Sequence, residues 1–187
     1  MKPRSIRLSI FVLLALVQLY VPARMILQQE AILRTGRTYQ FKTAPIDPSD
    51  PFRGRYIILD YEANTLQVPE GHEWEQNEAV YVLLGTDAEG FAVPASVSRT
   101  PWEGEDDYLQ AHVLYATEEE VVLSYPFDRY YLEETKAPAA EQAYLEAVRD
   151  SAVVTYALVR VKDGEGLIEQ VMIGDRPLLE VLEDGGE

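Results

Sequence analysis

Twenty consecutive residues, Leu8 to Leu27, carry a single charge between them, Arg24. A helix needs about 20 apolar residues to cross the hydrocarbon core of a bilayer, so the run reads as a membrane anchor. Arg24 lies near its end, where a long side chain keeps its stem in lipid and its guanidinium among headgroups. The flanks set an orientation. Residues 1–7 are a basic leader, and seven of the 16 basic residues but only one of the 32 acidic ones fall before position 46. Cationic flanks stay in the cytoplasm. The expectation is a single-pass protein of the cytoplasmic membrane, N-terminus inside, with its C-terminal domain outside in the periplasm or at the cell exterior. Its first partner is the lipid bilayer, through residues 8–27.

A cleaved signal peptide is the rival reading, because Val21-Pro22-Ala23 loosely matches a small-residue cleavage site. Against it, Met25-Ile26-Leu27 prolongs the apolar face, and good helix formers run from Gln28 to Arg34. Gly36 then offers a C-cap. The chain divides into a leader (1–7), an anchor helix with its extension (8–35), a domain (36–182) and an acidic tail (183–187). The net charge of −16 therefore sits almost wholly on the domain. Such a surface repels phosphate backbones, which disfavours nucleic acid as a partner. Cysteine is absent, so disulfides and thiolate chemistry are excluded.

Beyond Arg37 the pattern is mostly strands. Thr38–Thr43 is a short one. Ala79–Leu84 and Phe91–Val93 flank a glycine-containing turn, and Tyr108–Ala116 pairs with Val121–Tyr125. Pro94 to Asp107 reads as a long connection. A strand from Ser151 to Val161 returns as Gly166–Ile173 after an Asp-Gly turn. Ala140, Ala143, Tyr144, Ala147 and Val148 recur at helical spacing, giving one soluble helix over 137–150. The fold class is mainly β: a barrel or sandwich-like domain with one α-helix, plus one N-terminal transmembrane helix.

The most specific stretch is 47–61. Asp47-Pro48-Ser49-Asp50-Pro51 is a proline-braced turn in which aspartates accept backbone N–H groups and prolines fix φ. No helix runs through it, since the residue before each proline is pushed to extended geometry. Arg53 suits bracing this turn, its guanidinium fork matching the carboxylates. Gly54 releases the chain into a strand with Arg55, Ile57, Leu59 and Tyr61 on one face and Tyr56, Ile58 and Asp60 on the other. Neither face is cleanly polar, which predicts either a strand covered on both sides or a bulge that shifts the phase, with an extension towards Val68 open to it.

Gly54, Tyr56, Leu59 and Tyr61 match the string that names the GDYXXLXY family, with Arg55 in place of its aspartate, and Asp47, Asp50 and Arg53 resemble its lead-in. Tyr125-Pro126-Phe127-Asp128-Arg129-Tyr130-Tyr131 is similar to a second family block, with Pro126 where glycine is usual. Glu141 resembles a glutamate that follows it, and Asp163-Gly164 a late hairpin. The resemblance covers nearly the whole chain. It implies an uncleaved anchor, no assigned biochemical activity and association with multispanning membrane proteins.

Tyr56 and Tyr61 have two readings. With Arg53, Arg129, Tyr130 and Tyr131 they compose a recognition surface, tyrosine and arginine each offering an apolar body and a polar tip. Alternatively their rings pack in the core, the reading favoured for both. A glycan or small-molecule pocket would use Trp74, Trp102 and the tyrosines near Tyr130. Catalytic signals are thin: a serine–lysine hydrolase would need Ser151 and Lys162 together, and phosphate-cradling glycine loops and nucleophile elbows are missing. Glu103, Glu105, Asp106 and Asp107 read as a solvated loop tip rather than a calcium site, and His72 and His112 as isolated rather than zinc ligands. No cofactor is expected. The sequence favours a non-catalytic accessory protein that docks another membrane protein, with Ser9 and Gln18 as polar contacts inside the bilayer.

Overall fold

The computed structural model describes residues 3–44, 56–67, 73–102, 104, 107–150 and 152–184. The proline-braced turn, with Asp47, Asp50, Arg53, Gly54 and Arg55, lies outside them, as do His72, Glu103, Glu105, Asp106 and Ser151.

One helix, α1 (Pro3–Thr35), takes in both the basic leader and the apolar run. Proline is well placed at its first position, where the missing N–H is not needed. The stretch Ile10–Thr35 is long and apolar enough to cross a membrane, and the residues from Ile10 to Leu27 pack against nothing in the protein. Pro22 sits inside it and gives no N–H to the carbonyl of Gln18. Positions 9 and 18 are half a turn out of phase at 3.6 residues per turn, so they cannot serve one partner helix together.

The head begins where α1 ends. Gly36 donates its N–H to the Ile32 carbonyl (2.8 Å). Its φ is not positive, so this is not the left-handed cap the sequence suggests. Glycine is needed for space: a Cβ here would stand 2.5 Å from the Ile32 oxygen and 3.0 Å from that of Val161.

Strands β1 (Arg37–Ala44), β2 (Tyr56–Ile58), β3 (Asp60–Tyr61) and β4 (Thr65–Gln67) follow, the last two joined by a 3-10 turn, Glu62–Asn64. Then come β5 (Ala79–Thr86), β6 (Ala92–Ser98), β7 (Tyr108–Ala116), β8 (Glu120–Ser124), β9 (Arg129–Tyr131), α2 (Ala137–Arg149), β10 (Thr155–Lys162), β11 (Glu165–Ile173), β12 (Arg176–Pro177) and α3 (Leu178–Asp184). One five-stranded sheet runs β12-β11-β10-β1-β3, another β4-β8-β7-β5-β6, and β2-β9 is a separate ribbon. The two large sheets wrap a shared core and meet at two seams, Gln40 beside Phe91 and Leu109 beside Gly164. The result is nearly closed and barrel-like. Phe41, Tyr61, Tyr125 and Phe127 fill its centre, Phe41 lying 5.2–5.8 Å from the other three rings.

Most of the expected strands exist, with informative exceptions. The connection from Pro94 is shorter than expected because β6 runs through Pro94 to Ser98. Proline is tolerated there because β6 is an edge strand and the ladder is irregular beside Leu83 and Leu84. After β12 the described residues end in a short helix, α3. The Asp163-Gly164 turn does close a hairpin, both residues having positive φ (51° and 84°), as a primed two-residue turn requires.

The signature strand departs most. It is not one strand reaching towards Val68 but three short pieces and a turn. The break falls at Leu59, whose N–H is taken by the Asp128 carbonyl (2.8 Å). Nor is it covered on both sides: Ile57, Leu59 and Tyr61 are buried, while Ile58 is 42% exposed and Tyr56 and Asp60 are partly open.

Candidate functional site

That one-sided burial divides the signature into an inner and an outer half. The inner half builds the core. The Tyr61 hydroxyl donates to the Phe127 carbonyl (2.8 Å), and the Tyr125 hydroxyl donates to that of Ala63 (3.0 Å). Burial pushes both phenols well above their ordinary pKa. These bonds, with Leu59 to Asp128 and the β2–β9 ladder, bring the two family-like blocks together. Tyr56 faces Tyr131, Ile57 faces Tyr130 and Ile58 faces Arg129.

The outer half is a small exposed face. The rings of Tyr56 and Tyr131 are 5.5 Å apart, and the Arg129 guanidinium carbon stands 5.2 Å from the Tyr56 ring centre. Ile58 completes the face from beside Arg129. Tyr131 is 66% exposed. An aromatic pair and a surface cation–π contact stabilise by about 0.5–1.5 and 0.5–1 kcal/mol, enough to hold rotamers in place but small against burial. Arg129 has its pKa raised, chiefly by the Tyr131 side chain and then by Asp128, whose carboxylate is 3.7 Å away. It is a fixed cation on an acidic head.

Of the residues singled out in the sequence, Tyr56, Arg129 and Tyr131 share this face. Tyr130 points to the inner side, half-buried against the core, and Leu59 and Tyr61 are inside. Glu141 is half-buried on α2, the helix that packs beside β2. Ile58 escaped notice because it reads as a core residue. Only its pairing opposite Arg129, 71 positions away, shows that it faces out.

Two grooves lie among the described residues. One of about 380 Å³ lies between β4 and β6, with Lys42 and Glu62 paired at 2.9 Å at its edge and Leu66, Phe91 and Pro94 in its wall. The other, about 350 Å³, lies beside the β10–β11 turn and is lined by Gln110, His112, Pro126, Gly164, Glu165 and Gly166. Neither uses Trp74, Trp102 or Tyr130. Trp74 instead lies under Arg99, whose guanidinium carbon is 4.6 Å from the ring and which also pairs with Glu78. The Lys162 ammonium donates to the Thr35 hydroxyl (2.8 Å). Among the described residues no three His, Asp or Glu side chains converge as a metal site would require.

No curated protein and no solved structure matches the chain. The sequence profile of the family described as "GDYXXLXY protein" matches residues 18–171, a span that takes in the C-terminal half of α1, the inner and outer halves of the signature, and the block that zips onto them. On that match, the chain belongs to the GDYXXLXY family.

Proposed function

We propose that the protein is a non-catalytic, membrane-anchored accessory protein whose head lies outside the cytoplasmic membrane and docks another membrane protein of the envelope. The observation that carries this reading is the exposed face of Tyr56, Ile58, Arg129 and Tyr131. Tyrosine and arginine are enriched at the energetic centres of interfaces, and here they are prearranged, so little side-chain entropy remains to be lost on binding. The basic residues at the start of α1 and the acidic head after it support the orientation.

Two measurements test this. Protease added to sealed inside-out vesicles should leave the head intact; digestion there refutes the orientation. Full-length protein extracted in mild detergent should bring an integral membrane protein with it. The double variant Arg129→Glu, Tyr131→Ala should lose that partner while the head stays folded. Recovery of the same partner by the double variant would remove this face from the account, and recovery of the protein alone by the parent would remove the docking function.

A further inference from the structure

The anchor and the head are joined without a hinge. Gln28 of α1 donates to Glu165 (2.5 Å), Lys162 donates to Thr35 (2.8 Å), and Arg160 donates to the Gly36 carbonyl (3.3 Å). Ile32 is buried between them, 5% exposed. The order of these contacts gives a direction. Glu165 and Lys162 face each other beside the β10–β11 turn and Arg160 lies two residues further from it, so the last contact on leaving α1 leads away from the turn. β1 then continues the same way, its register with β10 running from Arg37–Val161 to Lys42–Tyr156. The long exposed apolar run of α1 ends at Leu27, one residue before the first contact, and beyond it only Leu33 is an exposed large apolar side chain of this helix. The β10–β11 turn therefore faces the membrane, and Ala44 marks the far end of the head.

β1 has eight residues, and at about 3.3 Å per residue its far end stands about 23 Å beyond its start. β3 pairs with Thr43 and Ala44, and β2 precedes it by one residue. The Tyr56–Tyr131 face is thus built at the membrane-distal end of the head, at a height fixed by the joint at Gly36.

Resting on the docking function proposed above, we infer that the partner is engaged far from the bilayer. The occupant of the Tyr56–Ile58–Arg129–Tyr131 face is a folded extracytoplasmic portion of an integral membrane protein, about 20 Å or more above the lipid, presenting a carboxylate or carbonyl to Arg129. A transmembrane helix of the partner cannot reach this face. A second copy fits badly, because it would oppose two Arg129 cations and crowd two acidic heads. A partner in the same bilayer gains from a fixed height, because a rigid spacer that matches the span raises effective concentration.

The test places a photoreactive phenylalanine analogue at Tyr131 or at Leu16 in the full-length protein in its own membrane, and maps the crosslinked peptides by mass spectrometry. The expected result is capture from position 131 of an extracytoplasmic segment of an integral membrane protein, about tenfold over capture of that protein from position 16. A flexible 12-residue Gly-Ser insertion after Gly36 should lower the yield at 131 about tenfold. Capture of a partner helix from position 16 alone would overturn the distal site and leave docking standing. A soluble protein or a second copy at 131 would overturn the choice of occupant, and an undiminished yield with the insertion would overturn the fixed height. Empty results at both positions would overturn docking as well.

Discussion

The two ends of the head are built on opposite plans. At the end where α1 joins the head the side chains are tied down: Ile32 is buried, Thr35 meets Lys162, the Gly36 carbonyl meets Arg160, and Arg37 pairs with Asp107. At the distal end a ribbon of two three-residue strands presents Tyr131 and Ile58 to solvent. The difference separates two tasks. One end fixes where the head stands, and the other keeps side chains available.

The largest effect is expected at the joint. Gly36→Val would drive a side chain into the carbonyl oxygens of Ile32 and Val161, backbone atoms that cannot swing aside. Overpacking of this kind costs about 3 kcal/mol. Denaturation of the full-length protein in detergent should show it, with new proteolytic cleavage beside position 36. A wild-type-like unfolding curve would mean that the joint is slack and that the contrast between the ends is false.

A second test asks whether openness at the distal end is confined to its outer face. Tyr144 of α2 is 1% exposed, and burial pushes its phenol up to about 12 from the ordinary value near 10. Its hydroxyl lies near Thr43, which is already bonded to Thr155 at 2.5 Å, and makes no well-formed hydrogen bond of its own. Below pH 10 folded and unfolded chains both keep this proton. Between pH 10 and about 12 the unfolded chain loses it first, so stability falls with rising pH, by about 1.4 kcal/mol per unit at most. Tyr39, Tyr61 and Tyr125 are raised as well, and share the sign. Tyr144→Phe should change stability at pH 7 by under about 1 kcal/mol, since no good hydrogen bond is lost. It should also reduce the alkaline loss between pH 10 and 12 by about 2 kcal/mol. A variant with an unchanged alkaline profile would show that the interior under the ribbon is wet.

The sequence disclosed local features better than distant ones. The long apolar helix was legible because an uninterrupted apolar run of this length, nearly free of charge, leaves few other structures open to it. The Asp163-Gly164 turn was legible because positive φ at two successive residues leaves few residue choices. What could not be read was who lies opposite whom. Gly166 opens the returning strand in the sequence with no sign of why it is glycine, but a Cβ there would stand 2.5 Å from the ring of Phe127, 39 positions earlier. The break at Leu59 has its cause in the carbonyl of Asp128. Tyr56 and Tyr61 share a motif yet part company, one to the surface and one to the core, because five residues of extended chain put them on opposite faces and only one face is covered. The exposed face was half legible. Tyrosines and Arg129 could be grouped from the family-like blocks, while Ile58 needed the register of β2 on β9.

Within the signature itself the same contrast holds on a smaller scale. Tyr61→Phe removes the bond to the Phe127 carbonyl, leaving a buried acceptor unpaired, at a cost of about 1–2 kcal/mol. It should lower stability and leave partner recovery intact at temperatures where the head is folded. Loss of the partner without loss of stability would move the interface to the inner residues, and the division into halves would fail.

The smallest expected effect on folding belongs to the residue with the largest expected effect on docking. Tyr131→Ala removes a ring that is two-thirds in water and touches Tyr56 at 5.5 Å. Little apolar area returns to solvent, and an exposed aromatic pair contributes modestly, so the change in stability should stay near 0.5 kcal/mol. At an interface the same truncation opens a hole against the partner and strips Arg129 of a neighbour, and central aromatic positions typically cost 2 kcal/mol or more there, about 30-fold in affinity. The ratio of the two effects is the measurement: denaturation midpoint on one axis, partner recovered per mole of head on the other. A position that costs more in folding than in association would be a piece of the scaffold, and the distal end would then be no more available than the joint.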